Sequence, residues 1–196
     1  MSTSETQNTA TAAGTEAGIA ATTLLLVRHG ETVDNVNRIM QGQTPGRLTD
    51  NGIMQARLLG ERLKDTNIGA FVSSDLQRAV DTCTEIAAPH FGGDRQKALA
   101  AIVQTPLLRE RDWGSFTGRY IPDLKDAPWT ADIEPTEAMR VRARQFLDLM
   151  RERYDGMTVA AVGHGIINKV VQSVFYGKPM HEIQRMENAE VRELDI

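Results

Sequence analysis

The sequence predicts an α/β fold, a three-layer α/β/α sandwich in which helices cover both faces of a mostly parallel sheet. Two observations predict it. Short apolar runs, bounded by glycine or polar residues, are typical of strands that are buried on both faces. These runs alternate along the chain with longer segments whose apolar side chains recur at helical spacing, and this alternation is typical of a parallel sheet flanked by helices.

The strand candidates are short and lie far apart in the chain. Residues 23–28 (TLLLVR) and 158–163 (TVAAVG) are strongly apolar, and each run stops at a His-Gly pair. Residues 68–73 are a further candidate, residues 101–105 a weaker one, and residues 190–196 can close the sheet as its last strand. Because long helical segments separate most of these runs, we expect most neighbouring strands to be parallel.

The first two helix candidates begin at residues that favour helix starts. Residues 49–52 (TDNG) precede a helix that should reach about Asp65, and residues 73–75 (SSD) precede one that should end before Pro89. The side-chain oxygens of Thr, Ser and Asp accept hydrogen bonds from the free N–H groups of a first turn. Proline disfavours a helical conformation in the residue before it, so Pro89 marks the end of the second helix.

The second half of the chain contains two further helix candidates and an irregular stretch. Pro135 suits the first turn of a long amphipathic helix that should reach Tyr154. A last helix is expected over residues 166–175. Residues 112–135 show no clear period and include several prolines and glycines, so we interpret them as a loop-rich insertion.

The composition limits the classes of function. The chain has 196 residues, which suits one domain with its own core. It carries 22 basic and 26 acidic residues and a formal net charge of -4, without the basic excess of a typical nucleic-acid binder, so no nucleic-acid partner is expected. An anionic ligand would therefore have to be held by a local cluster of arginines.

Residues 1–22 differ from the rest of the chain, because they are rich in Ser, Thr, Ala and Gly and contain no Lys or Arg. They lack the features of a signal peptide, and we predict a disordered tail before a domain at residues 23–196, with a docked helix as the alternative. No run of 18 apolar residues occurs, so no membrane association is expected. The single cysteine, Cys83, excludes an internal disulfide, and the cytoplasm is the expected location.

Two histidines, His29 and His164, each follow a predicted strand directly and precede a glycine. Ligands of open α/β sheets bind at the carboxyl ends of the strands, so both imidazoles should lie at one edge of the sheet. Arg28 precedes His29, and Arg78 lies near the start of the helix that follows the second strand. Guanidinium groups match the geometry and charge of phosphate, so these four side chains predict a phosphate site.

A phosphatase also needs a nucleophile and an acid. An imidazole can serve as the nucleophile and divide hydrolysis into two steps through a covalent intermediate. Glu110 follows the third strand and is the expected proton donor, with a pKa raised by burial. Glu31 and Asp112 are neighbouring carboxylates that could take the same role.

Four blocks in the same order resemble the histidine phosphatase superfamily, branch 1, also known as the phosphoglycerate mutase-like group. The blocks are residues 28–32 (RHGET), residues 74–79 (SDLQRA), Glu110 with Gly114, and residues 163–165 (GHG). The resemblance covers about residues 24–196. It implies the phosphoglycerate mutase-like α/β/α fold and, among the members of the family, a phosphatase-type enzyme.

The resemblance also implies a role for each site residue. It implies that His29 becomes phosphorylated and that Glu110 donates the proton. Asn35 occupies the place of an asparagine that often touches the same phosphate, and Gln41 with Gly42 is similar to a pair often found in phosphatase-type members. Three side chains are implied to bind the phosphoryl group: Arg28, Arg78 and His164.

The sequence therefore predicts a metal-independent phosphomonoesterase that needs no cofactor and hydrolyses a small phosphorylated metabolite. Two alternatives stay open. A mutase-type isomerase would return the phosphoryl group to its product, although the family's mutases tend to carry a longer insertion than residues 114–135. A non-catalytic phospho-ligand binding protein on the same scaffold is the second alternative, but every expected catalytic group is present.

Other chemistries lack their residues in this sequence. A cysteine phosphatase would need an arginine six positions after Cys83, and Pro89 stands there. His90 and His181 show no metal-ligand spacing, so no metal site is expected. The chain contains neither the P-loop motif nor the G-x-S-x-G motif of serine hydrolases.

The sequence leaves the substrate and the oligomeric state open. Four aromatic residues of the insertion could form a wall over the site or pack within the insertion: Trp113, Phe116, Tyr120 and Trp129. Four arginines could bind a second anionic group or be surface charges: Arg47, Arg109, Arg111 and Arg119. Residues 45–47 (PGR) depart from the pattern of many family members, so substrate contacts of this loop stay open, and a homodimer stays open as well.

Overall fold

The computed structural model describes residues 21–196, so all but the last two residues of the predicted tail, residues 1–22, lie outside the described residues. Thr22, which we assigned to the tail, is buried. Its backbone N–H donates to the Ile196 carbonyl over 3.2 Å, and its hydroxyl donates to the Tyr154 carbonyl over 3.0 Å. Thr22 therefore packs against the domain.

Within residues 21–196, five strands form one sheet: β1 (Thr23–Arg28), β2 (Ala70–Ser74), β3 (Ile102–Thr105), β4 (Thr158–Gly163) and β5 (Val191–Asp195). Their order across the sheet is β3-β2-β4-β1-β5, and only β5 is antiparallel to its neighbour. All five strand candidates are thus confirmed. Arg28 at the end of β1 lies opposite Gly163 at the end of β4, so the residues that follow the two strands are neighbours.

The described residues form six α-helices: α1 (Val33–Val36), α2 (Asp50–Leu63), α3 (Gln77–Ala87), α4 (Arg95–Ala101), α5 (Thr136–Arg153) and α6 (Gly165–Tyr176). Four of them confirm the expected helices, whereas the short α1 and α4 were not predicted. The expected cap at residues 73–75 is wrong, because the N-cap of α3 is Leu76 and no side chain caps it. By contrast, Thr49 caps α2 as expected and accepts from the Gly52 N–H.

The strands send alternate side chains to two separate apolar cores. On β1, Leu24 and Leu26 belong to the core that contains buried residues of α5 and α6. Leu25 and Val27 point the other way, into the core that contains buried residues of α2, α3 and α4. The sheet therefore lies between two helical layers, which confirms the predicted three-layer sandwich.

Residues 106–135 form the irregular insertion, which contains only short 3-10 turns. Phe116, Leu124 and Ile133 give it a small core of their own. A β-bridge between Ile39 and Tyr120 joins the insertion to the segment that follows α1. Within residues 21–196, no helix is both long and apolar enough to cross a membrane.

Candidate active site

His29 directly follows β1, and its backbone and ring are both held in place. Its N–H donates to the Gly163 carbonyl over 3.0 Å, which ties it to the end of β4. Its ring Nδ1 lies 2.7 Å from the Gly30 carbonyl oxygen. A carbonyl only accepts, so Nδ1 carries the hydrogen, and Nε2 of the neutral ring keeps a lone pair.

The surroundings of His29 keep its ring neutral. The residue is 3% exposed. Burial lowers its pKa well below the ordinary value, and the positive charges of Arg78 and Arg28 lower it further. Gly30 is required beside it, because a Cβ there would lie 2.5 Å from the Gly52 carbonyl oxygen.

His164 lies beside His29 because β4 pairs with β1 in parallel register. The ring centroids of the two histidines are 5.1 Å apart. Nε2 of His164 lies 2.9 Å from the Ser74 hydroxyl, which also accepts from the Leu76 N–H. When Ser74 donates to Nε2, the hydrogen of His164 sits on Nδ1, and Nδ1 has no protein partner within the described residues. Burial lowers the pKa of His164 well below its ordinary value, as does the charge of Arg78.

Arg28 and Arg78 are buried and each has an unused donor. Arg28 Nη1 donates to the Met186 carbonyl over 2.7 Å. Arg78 donates to two carbonyls of the loop before α2, those of Gly42 and Thr44. The Nε atoms of both arginines have no partner within the described residues. Burial lowers both pKa values, that of Arg78 to about 10, so both groups remain cationic at neutral pH.

Glu110 lies at the N-terminus of α6. Its carboxylate accepts from the backbone N–H groups of Ile166, at 3.1 Å, and Ile167, at 3.3 Å, and from its neighbour Arg111 at 2.8 Å. The expected burial of Glu110 is wrong, because the residue is only half-buried and sits among N–H donors instead of apolar groups. A helix N-terminus carries partial positive charge, which stabilises a carboxylate.

Asn35, Gln41 and Gly42 lie on the same cavity as His29. Asn35 Oδ1 accepts from the Thr32 N–H over 3.1 Å in a capping box at α1, so its side chain is already oriented. Gln41 is buried, and its Oε1 has no partner within the described residues. Gly42 has a positive φ of 53°, which lets the loop turn so that its carbonyl meets Arg78.

The predicted site residues described above, except His164, line a cavity of about 280 Å³. We call its base the floor, which comprises Arg28, His29, Arg78 and Glu110, with His164 packed against His29. We call its outer wall the rim, which comprises Ile39, Met40, Trp113, Ile121, Ile166, Lys169 and Arg185. The structure thus brings together all the site residues that the sequence predicted.

Most of the rim was missed by the sequence analysis. Lys169 follows Ile166 by three residues on α6, so helical spacing from the end of β4 could have found it. Arg185 lies in the loop before β5, where no sequence pattern points to it. Ile39, Met40 and Ile121 come from irregular segments that meet through tertiary contacts.

The four arginines considered for a second anionic group do not line the cavity. Arg109 forms a two-point ion pair with Asp75, at 2.7 and 2.6 Å. This ion pair also explains why the Asp75 side chain does not cap α3. Arg111 is buried and lies over the rings of Trp113 and Trp129, 5.2 and 5.1 Å from their centroids.

Two of the four aromatic residues of the insertion take the two expected roles, one each. Trp113 lines the cavity, whereas Phe116 is buried in the small core of the insertion. Tyr120 and Trp129 are exposed and do not line it. Within the described residues, no group of three or more His, Cys, Asp or Glu side chains could hold a metal ion.

Comparisons with known proteins agree with the fold and with the motif blocks. The chain matches the model of the histidine phosphatase superfamily (branch 1) over residues 24–196. It is 31% identical over 175 residues to the probable phosphoglycerate mutase GpmB of Yersinia pestis (strain Pestoides F), which covers 82% of this chain and 78% of that protein.

Solved structures with the same fold include two similar proteins. The alpha-ribazole phosphatase of Shigella flexneri is 26% identical, with a TM-score of 0.75 over 89% of this chain and 90% of that one. YhfR of Bacillus stearothermophilus is 29% identical, with a TM-score of 0.77 over 88% and 90%. The resemblance inferred from the motif blocks is therefore confirmed, and this chain belongs to the histidine phosphatase superfamily, branch 1.

Proposed function

We propose that the protein is a metal-independent phosphomonoesterase that forms a phosphohistidine on His29. The state of His29 carries this proposal: a buried, neutral imidazole with its hydrogen on Nδ1 and a lone pair on Nε2. Such a ring is a ready nucleophile, since no base has to remove a proton before it attacks.

In the first step, Nε2 of His29 attacks phosphorus in line with the ester oxygen, and the P–O bond to the leaving group breaks. The non-bridging oxygens gain hydrogen bonds from the unused Nε donors of Arg28 and Arg78 and from Nδ1 of His164. These cationic and polar donors are already in place, so they take the part that a metal ion plays in other phosphatases.

Glu110 gives its proton to the leaving oxygen in the same step. In the second step, the Glu110 carboxylate takes a proton from the attacking water, which hydrolyses phospho-His29 and releases phosphate. One water is consumed, and His29 and Glu110 return to their starting forms.

A phosphoglycerate mutase is the second candidate, which the name of the similar Yersinia pestis protein favours. A mutase must hold its intermediate away from water until the phosphoryl group returns. The rim of this cavity includes Ile121, which is 41% exposed, and the insertion that carries it is short. An accessible rim suits hydrolysis better than a protected transfer.

Product analysis tests the proposal. We expect 4-nitrophenyl phosphate to be hydrolysed at the same rate with and without EDTA, and we expect 3-phosphoglycerate, where it reacts, to release inorganic phosphate. Formation of 2-phosphoglycerate without free phosphate would show a mutase. Activity that disappears in EDTA would contradict the metal-independent mechanism.

A further inference from the structure

The rim carries two cations that form no ion pair within the described part of the chain. Lys169 and Arg185 both line the cavity, and neither belongs to an ion pair of the described residues. Two arginines of neighbouring segments are paired, by contrast: Arg109 with Asp75, and Arg142 with Glu134. Unpaired positive charge on a cavity wall attracts an anionic group of a ligand.

Both cations lie close in the chain to residues that contact the floor: Lys169 to Ile166, and Arg185 to Met186. Lys169 is half-buried and lies one turn into α6, about 4.5 Å along the helix axis from Ile166 at a rise of about 1.5 Å per residue. Arg185 precedes Met186, whose carbonyl accepts from Arg28. Lys169 and Arg185 line the same cavity of about 280 Å³ as the floor, so an anionic group bound at them and a phosphoryl group bound on the floor would belong to one small molecule.

The rest of the rim is apolar: Ile39, Met40, Trp113, Ile121 and Ile166. A polyhydroxylated leaving group would place its hydroxyls against these side chains and lose hydrogen bonds to water, which costs binding free energy. The cavity volume of about 280 Å³ is near the lower limit of ordinary ligand sites, about 300–1,000 Å³. The body of the leaving group should therefore be small and apolar.

We propose that the substrate is a small phosphate monoester whose leaving group has an apolar body and a second anionic group, and that Lys169 and Arg185 bind this second group. The inference rests on the proposed phosphomonoesterase activity and narrows its substrate class. The phosphoryl group occupies the floor, the apolar body contacts Trp113 and Met40, and the second anion lies at the two rim cations.

Two esters of nearly equal shape test the charge preference: 4-carboxyphenyl phosphate and 4-carbamoylphenyl phosphate. We expect the wild-type enzyme to favour the carboxylate in kcat/KM by about tenfold at low salt, the size expected of charge-assisted bonds to partly exposed cations. The preference should shrink as ionic strength rises. K169Q and R185Q should each reduce the ratio by about threefold, and the double variant should bring it near one.

Lys178→Gln is the matched control, because Lys178 is exposed just beyond the other end of α6 and does not line this cavity. It should keep the wild-type ratio. A ratio near one in the wild type, or a ratio that K169Q and R185Q leave unchanged, would overturn the inference while the esterase activity itself stands. If the wild type hydrolyses neither ester, the proposed function fails first, and the inference fails with it.

The apolar wall is tested separately by Ile121→Ala. We expect a loss of about threefold in kcat/KM with 4-carboxyphenyl phosphate, in line with the removal of part of an apolar contact, and a smaller loss with glycerol 3-phosphate. Equal losses on the two esters would contradict an apolar leaving-group site.

Discussion

The floor and the rim of the cavity are built in different ways. The floor residues His29 and His164 directly follow two paired strands, and both are buried with their rings held by short contacts. The rim comes from α6 and from irregular segments. Ile121 is partly exposed, and Lys169 and Arg185 are in no ion pair of the described residues. The two histidines at the base of the cavity are thus fixed by the sheet, whereas the rim is fixed mainly by loops.

The different construction of the floor and the rim suits them to two different tasks, chemistry and the choice of substrate. A floor that is set by the register of β1 and β4 suits chemistry, because catalytic groups must be held within fractions of an ångström. A rim on loops can change without disturbing the sheet, and it suits the choice of substrate. Changes on the floor should therefore lower turnover of every ester, whereas changes on the rim should alter the preference among esters.

The largest expected effect is that of His29→Ala. Because the nucleophile is lost, kcat should fall by at least about 10⁴-fold on alkyl and aryl esters alike. Steady-state hydrolysis measures it. His181→Ala is the control, since His181 is exposed, and it should keep wild-type activity. Residual activity above about one hundredth of wild type in His29→Ala would point to another nucleophile.

Glu110→Gln should have the next largest effect, and its size should depend on the leaving group. The amide oxygen can still accept from the Ile166 N–H, but the side chain cannot donate a proton to the ester oxygen. We expect kcat to fall by about 10²–10⁴-fold on glycerol 3-phosphate. The loss should be much smaller on 4-nitrophenyl phosphate, whose leaving group needs no proton. Equal losses on both esters would remove Glu110 as the acid.

The buried histidines should make folding stability depend on pH. Their pKa values are lowered in the folded protein, so the unfolded chain binds more protons once the pH falls below about 6.5, the ordinary imidazole value. Stability should therefore be highest above this pH and decrease below it. His29 and His164 should each contribute about 1.4 kcal/mol per pH unit there.

Urea unfolding of the wild type and of His29→Gln measures this contribution. It is carried out at about pH 7 and about pH 5.5, one value on each side of the ordinary imidazole pKa. The variant lacks one of the two buried imidazoles, so its pH slope should be smaller, and His181→Ala should keep the wild-type slope. An unchanged slope in His29→Gln would mean that its ring is protonated in the folded state.

Arg142→Gln should have the smallest effect of this series. Arg142 donates to the carbonyls of Leu107, at 2.9 Å, and Arg109, at 2.6 Å, and pairs with Glu134, so it holds the segment that carries Glu110. We expect kcat on glycerol 3-phosphate to fall by about tenfold with KM nearly unchanged, because a small misplacement of the acid slows proton transfer.

Arg144→Gln, on the solvent side of α5, is the control for Arg142→Gln and should change little. In the Glu110→Gln background, Arg142→Gln should reduce kcat on glycerol 3-phosphate only slightly further, since the two residues act on the same step. Additive losses would show that Arg142 acts on stability or on another group.

The floor was predictable from the sequence and most of the rim was not. His29, His164 and Glu110 follow apolar runs, and the carboxyl ends of parallel strands meet at one edge. From the sequence, Arg109 and Arg111 could bind a second anionic group or be surface charges. In the structure, Arg109 pairs with Asp75, and Arg111 lies over two tryptophan rings. Such pairings depend on tertiary contacts that no periodicity encodes.

The same limit applies to small elements of the fold. The strands at residues 23–28 and 158–163 were predicted from clearly bounded apolar runs, whereas the signals of β3 and β5 were weaker. The helices α1 and α4 were missed because helices of four and seven residues show no amphipathic period. The cap expected at residues 73–75 was wrong because Ser74 contacts His164 and Asp75 pairs with Arg109. Of these two possible caps, only Ser74 contacts a site residue, and Asp75 is held in an ion pair outside the cavity.

The most direct test of the central claim is the position of the phosphoryl group on the trapped enzyme. Rapid quench in alkali, followed by ³¹P NMR and peptide mapping, distinguishes the two phosphohistidine isomers and locates the residue. The orientation of His29, with Nδ1 bonded to the Gly30 carbonyl, predicts phosphorus on Nε2 of residue 29. Phosphorus on Nδ1, on His164 or on a carboxylate would contradict the mechanism.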